Sequence, residues 1–133
     1  MAEKKIKLLV VDDEKDICNF VNLLFSKKGF SVHGALSGTQ AVRTAKKVKP
    51  DIALLDIHLG GALCGIEVLK KLREVVPACR NVMVTWDKEA AKMKEAKQLG
   101  AVAYLTKPLT TTQLFKVVDG VVKRARKGGL SSV

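Results

Sequence analysis

Cysteine, proline and aromatic residues are all scarce in this chain: three cysteines, three prolines, one tryptophan, one tyrosine and four phenylalanines in 133 residues. Cys18, Cys64 and Cys79 are an odd number with no C-x-x-C pair, which excludes a disulfide framework and a cysteine zinc site and leaves them as small buried or loop thiols. The low proline content, with no low-complexity tract, excludes fibrous and disordered classes. No apolar run reaches membrane length. The stretch after the basic start spans only Ile6 to Val11 before acids follow, so no signal peptide and a cytoplasmic location are expected. Acidic residues are few as well: 13 against 24 Lys and Arg, a formal net charge of +11. Such basicity suggests nucleic acid or an acidic partner. The basic residues are nonetheless spread over every expected helix, with no Arg-rich arm, no aromatic interleaving and no helix-turn-helix or RNA-binding signature. A solvated lysine surface is therefore expected, and nucleic acid is not expected as a partner of this domain alone.

What is present is a rhythm. With 47% apolar residues, the length suits one compact domain. Five short apolar runs (Ile6 to Val11, Phe30 to Ala35, Ile52 to Leu55, Val82 to Val84, Ala101 to Leu105) alternate with five helical patterns, the mark of βαβ units on a parallel sheet. Runs one, three and four are almost continuously aliphatic, as strands covered on both faces must be. The second alternates, which suits an edge. Ile17, Phe20, Val21, Leu24 and Phe25 form the apolar stripe of a first helix that Gly29 stops. Ser37 with Gln40 caps the second helix, which ends before Pro50. The third carries Ile66, Leu69, Leu72 and Val76 up to Pro77. The fourth is capped by Asp87 and has the weakest apolar face, so it should pack most loosely. The fifth opens at Thr110 to Thr112 and buries Leu114, Val117, Val118, Val121 and Val122. Residues 1–127 make the domain, and 128–133 read as a flexible tail or the start of a linker.

In an open parallel sheet, ligands sit at the carboxyl ends of the strands. Asp12 and Asp13 follow the first run, Asp56 the third, Thr85 the fourth, and Lys107 with Pro108 the fifth. Three converging carboxylates repel one another unless a cation compensates. Mg²⁺ suits such a set, because it takes hard oxygen ligands and commonly pairs carboxylates with a phosphate oxygen. Lys107 adds a point charge for the same phosphate, and Thr85 a hydroxyl.

The segments LLVVDDE, DIALLD, VMVT and AYLTKP, in that order and at those spacings, resemble the receiver domain of two-component response regulators over residues 5 to about 127. The resemblance implies a flavodoxin-like (βα)5 fold with sheet order 2-1-3-4-5. It implies Asp56 as phosphoacceptor and Lys107 as the partner of the phosphoryl oxygens. Asp12, Asp13, Asp56 and the backbone carbonyl of His58 would hold Mg²⁺. Thr85 and Tyr104 would be the switch pair, reshaping the face of helix four, strand five and helix five. Implied partners are a sensor histidine kinase or phosphotransfer protein, and a downstream protein or absent output domain on that face. The domain would be a monomer or a phosphorylation-dependent dimer, and a signalling phosphoacceptor rather than an enzyme. A cis Lys107–Pro108 bond is also implied.

Two departures from the family pattern stand out. The loop after Asp56 has Gly60 where proline is usual and places Gly65 one residue late, and Trp86 follows the switch threonine where small residues are common. Trp86 could narrow access to the aspartate. Simpler readings exist for single residues: Asp12 and Asp13 as caps of the first helix, Tyr104 as sheet packing, His58 as an exposed side chain and His33 as structural. A phosphorylation-independent pseudo-receiver, serving as an interaction module, is the rival reading for the whole chain. An aspartate-nucleophile phosphatase is a further one, although His58 stands where such enzymes carry a second acid.

Overall fold

A computed structural model describes residues 5–61 and 63–127. The elements alternate: β1 Lys7–Val11, α1 Lys15–Ser26, β2 Ser31–Ala35, α2 Gly38–Val48, β3 Ile52–Leu55, α3 Gly65–Val75, β4 Arg80–Thr85, α4 Ala90–Gln98, β5 Ala103–Thr106 and α5 Thr111–Lys127. All strand pairs are parallel, in the order β2-β1-β3-β4-β5. This is the expected doubly wound topology. Residues 128–133, expected as a tail or linker, lie outside the described residues.

The continuous aliphatic runs are explained by two cores, one on each face of the sheet. Leu9, Val11, Ala53, Leu55 and Met83 face α2, α3 and α4, where Ala41, Ala45, Val68, Leu69 and Leu72 meet them. Leu8, Val10, Ile52, Leu54, Val82 and Val84 face α1 and α5, against Val21, Phe25, Leu114, Val118 and Val121. Successive strand residues point to opposite faces, so both must be apolar. β2 forms one edge, and of its residues only Ala35 is buried.

Local chemistry sets most helix ends as the sequence suggests. The Gln40 backbone N–H donates to Ser37 Oγ at 3.1 Å, and Gln40 Oε1 accepts from Leu36 N. Thr110 and Gln113 cap α5 reciprocally, each side chain accepting from the other's backbone N–H at 3.1 Å. Val117 is half-buried rather than buried, because the α5 stripe facing the sheet runs through Leu114, Val118 and Val121. As expected, α4 packs loosely, with Ala96 its one buried residue. Its cap differs from expectation. The helix begins at Ala90 with Glu89 as N-cap and no side-chain bond there, while Asp87 turns the preceding loop by accepting from Glu89 N at 2.9 Å. Nor do Asp12 and Asp13 cap α1, whose N-cap is Glu14. Cys18 and Cys79 are buried and Cys64 half-buried, with burial pushing the Cys79 thiol up to about 12.

Candidate functional site

Because every strand runs the same way, the residues leaving β1, β3, β4 and β5 arrive at one edge. Asp12, Asp56, Thr85 and Lys107 are all buried there, while Asp13 is exposed beside them. Carboxylate oxygens of Asp12, Asp13 and Asp56 lie within 4.8 Å of one another. Lys107, 1% exposed, reaches into this group: Nζ stands 2.6 Å from Asp12 Oδ2, 2.8 Å from Glu14 Oε2 and 3.0 Å from Asp56 Oδ2. An ammonium has three N–H donors, and here each finds a carboxylate. The Lys107–Pro108 bond is cis, as the resemblance implies.

These contacts decide the electrostatics. Burial pushes the Asp12 carboxyl above its ordinary value, and the Lys107 hydrogen bond only partly offsets that. Burial alone would weaken the hold of Lys107 on its proton, but the hydrogen bonds to Asp12, Glu14 and Asp56 outweigh it and raise its pKa. Lys107 is therefore charged at every physiological pH. Glu14 is held below the usual carboxylate range by its hydrogen bond to Lys107 and by that charge, with a lesser contribution from the Trp86 indole. Glu14 is not among the residues expected from sequence. Its signal is that it is the third acid of the DDE run, in the loop leaving β1, next to the pair that drew the inference.

Asp56 has a second partner. Its Oδ1 accepts the His58 backbone N–H at 3.0 Å, which turns the β3–α3 loop over the carboxylate. The His58 side chain is exposed, as expected, but not idle: Nε2 lies 2.7 Å from Asp87 Oδ2. Asp87 in turn donates its N–H to Thr85 Oγ1 at 3.3 Å and accepts from the Tyr104 hydroxyl at its carbonyl, 2.8 Å away. The pair suggested as a switch is thus joined through one residue of the β4–α4 loop. Burial raises the Tyr104 phenol to about 12, so it remains a donor. Trp86 is 56% exposed at the rim. Among the described residues the His33 ring bonds to Ser31 Oγ, at 3.2 Å, on edge strand β2.

The late glycine after Asp56 proves to be placed by packing. A Cβ on Gly65 would stand 1.9 Å from the Asp56 carbonyl oxygen and 2.5 Å from Ile57 Cα, and Gly65 N donates to Ile57 O at 2.8 Å. The helix start therefore closes directly onto the strand end that carries the aspartate. Gly60 and Gly61, in the same loop, have open space around them, Gly61 at φ +92°. Gly65→Ala is expected to cost about 3 kcal/mol in urea unfolding, since backbone rather than a flexible side chain must give way. Gly60→Ala should change stability by well under about 1 kcal/mol.

Among the described residues, no helix is long and apolar enough to cross a membrane. Residues 8–119 match the family of response regulator receiver domains. Over 112 residues the chain is 33% identical to sporulation initiation phosphotransferase F of Bacillus subtilis (strain 168), covering 84% of this chain and 90% of that protein. It is 33% identical over 126 residues to the alkaline phosphatase synthesis transcriptional regulatory protein PhoP of the same organism, covering 95% of this chain but 52% of the relative. The chain thus spans about half the length of that regulator. In structure it resembles a CheY-like receiver domain protein from Methanospirillum hungatei JF-1, with TM-score 0.90 and 24% identity over 95% of this chain and all of that one, a likeness of fold.

Proposed function

Since the chain belongs to the response regulator receiver family of two-component signalling, we propose that Asp56 is its phosphoacceptor, charged from a phosphohistidine on a sensor histidine kinase or phosphotransfer protein. The observation that carries this reading is Lys107 Nζ held within 3.0 Å of Asp56, Asp12 and Glu14 at once. A carboxylate oxygen of Asp56 attacks phosphorus, the P–N bond breaks, and the imidazole leaves. Such a transfer needs positioning and charge neutralisation more than covalent assistance. Lys107 supplies a fixed cation that can exchange a carboxylate oxygen for a phosphoryl oxygen without crossing the pocket. Thr85 accepts from Asp87 N–H, which leaves its own O–H to donate to the phosphoryl group.

The donor set fits a hard divalent cation: three carboxylates, two of them buried, with Asp13 open to solvent for a partly hydrated ion. Asp12, Asp13, Asp56 and the His58 carbonyl would hold Mg²⁺. When bound, Mg²⁺ neutralises the phosphoryl oxygens. The switch reading has Thr85 drawn towards the phosphoryl group. The Asp87 N–H bond then lengthens, and Tyr104 loses its anchor on the Asp87 carbonyl. Tyr104 lines a groove of about 430 Å³ with Met93, Ala96 and Val102, so its movement reshapes the α4–β5 face for a downstream partner or for a phosphorylation-dependent dimer. We take 1–127 as the receiver unit, working in the cytoplasm, with 128–133 as its tail or linker. The longer loop gives no support to a phosphorylation-independent platform, because Gly65 still seats on the Asp56 backbone.

Incubation with Mg²⁺ and acetyl phosphate, followed by intact-mass measurement, should show one phosphoryl group that hydroxylamine removes. A folded protein that gains no mass under these conditions is not a phosphoacceptor. Trp86 stands at the rim beside Glu14. Trp86→Ala is therefore expected to admit water more freely and shorten the acyl-phosphate lifetime several-fold. Equal decay rates in a chase after donor removal would show that the ring plays no part in access.

A further inference from the structure

The same topology that gathers acids at the carboxyl edge gathers cations at the opposite one. Helix C-termini and strand N-termini meet there, and all five helices bring a base to it, among them Lys27 at the α1 C-cap, Lys46, Arg73 and Lys97 in the last turns of α2, α3 and α4, and Arg124 near the end of α5. Lysine and arginine at helix C-termini complement the helix dipole, which accounts for some of them. It does not account for Arg80, the first residue of β4. Arg80 and Arg124 line one cavity of about 210 Å³ with Val102, Val121 and Ala125. Among the described residues neither arginine pairs with a carboxylate, and on α5 the ion pair is Lys123 with Asp119. Bases spread along the sequence thus meet at this edge, which also carries Asp51 and Glu74, while Asp12, Asp13, Glu14, Asp56 and Asp87 stand at the far end with Lys88 and Lys92.

We propose that this amino edge is a docking surface for the phosphate backbone of duplex nucleic acid, with Arg80 and Arg124 clasping one phosphate in the cavity between them. This reverses the expectation from sequence, which rested on dispersal. Lysine is depleted in protein–protein interface cores but serves well as a point charge towards phosphate. Adsorption on lipid needs an apolar face beside the charges. The large exposed apolar residues Leu23 and Leu36 lie on α1 and after β2, and Val102 alone is at this edge. The charge separation also fixes orientation: a polyanion approaches the basic edge and is repelled by the acidic one. Asp56 then stays open to its phosphodonor while the duplex is held. Binding of this kind is independent of sequence and steeply dependent on salt.

The test is fluorescence anisotropy of the full chain with a short labelled DNA duplex of arbitrary sequence, across a salt series. Binding at low salt is expected to weaken linearly in log–log form with a slope of about −0.9 per phosphate contacted. Arg80→Glu with Arg124→Glu should weaken binding and flatten the slope by about 1, the one phosphate they share, with circular dichroism confirming the fold. Lys88→Glu with Lys92→Glu makes the same change in net charge at the carboxyl edge and should leave the slope near that of wild type. No binding at the lowest salt, an equal loss in the Lys88/Lys92 variant, or capture by anionic vesicles without capture of duplex would each overturn the proposal.

Discussion

Replacing Asp56 with asparagine should abolish phosphoryl uptake and leave the fold at least as stable. An amide is no nucleophile towards phosphorus at neutral pH, and the neighbouring carboxylates are badly placed to substitute. Asp12 is committed through one oxygen to Lys107 and through the other to the Glu14 backbone N–H. Asp13 is exposed and forms no ion pair among the described residues, and Glu14, half exposed at the rim, is committed through Oε2 to Lys107. The amide oxygen can keep the His58 N–H bond that Oδ1 accepts, so the loop has no reason to open. Removing one of three crowded negative charges relieves repulsion while Lys107 retains two acceptors. Intact mass after acetyl phosphate and a thermal melt in the same buffer check both halves. Stoichiometric labelling of Asp56→Asn would place the acceptor elsewhere, and a large fall in melting temperature would mean that Asp56 is a structural partner of Lys107 first.

The sheet order came from the family resemblance, whereas the element count and the gathering of Asp12, Asp56, Thr85 and Lys107 were readable from the residues for one reason. Parallel strands buried on both faces leave a strong aliphatic signal, and the residues leaving such strands must reach a common edge. Contacts made across that edge between loops left no such signal. Glu14 meets Lys107 across 93 positions and His58 meets Asp87 across 29, pairings that no local pattern encodes. Asp87 looked like a helix cap because an acid ahead of a helical pattern usually is one. Here its oxygens are shared between a loop turn and a histidine, so Glu89 takes the cap position with no side-chain bond. The extra loop residue looked like a disturbance of the site. Close approach of Gly65 to the Asp56 carbonyl, visible only in three dimensions, seats the helix start on the strand end, while Gly60 and Gly61 have open space around them. The basic edge was hidden in the same way, since charges far apart in sequence converge only through the topology.

Lys107→Met should have the largest effect on stability, because methionine fills much the same space and removes only the cation. At neutral pH and without divalent metal, Asp12 and Asp56 would be left 2% and 4% exposed with nothing to oppose them, and stripping one partner from a buried pair costs about 3 to 5 kcal/mol. The pH dependence identifies the cause. Burial already holds the Asp12 pKa above its ordinary 3.8, and the Lys107 bond is the strongest influence pulling it back. In the variant it therefore rises further. A folded pKa above the unfolded one favours the protonated protein, so the variant recovers stability as pH falls through the folded pKa towards 3.8. Wild type gains less from Asp12, whose pKa Lys107 restrains, and it has an opposing contribution. Glu14, lowered by Lys107 from 4.5, contributes stability above that value and loses it as pH falls through its folded pKa. The two stability curves should therefore converge on acidification, and Mg²⁺ at neutral pH should narrow the gap by supplying the missing positive charge. Urea unfolding at neutral pH and near pH 4, with and without Mg²⁺, reads all three conditions. A deficit of constant size across pH would mean that the loss is one of packing, and that Lys107 is not the counter-charge on which this carboxylate cluster depends.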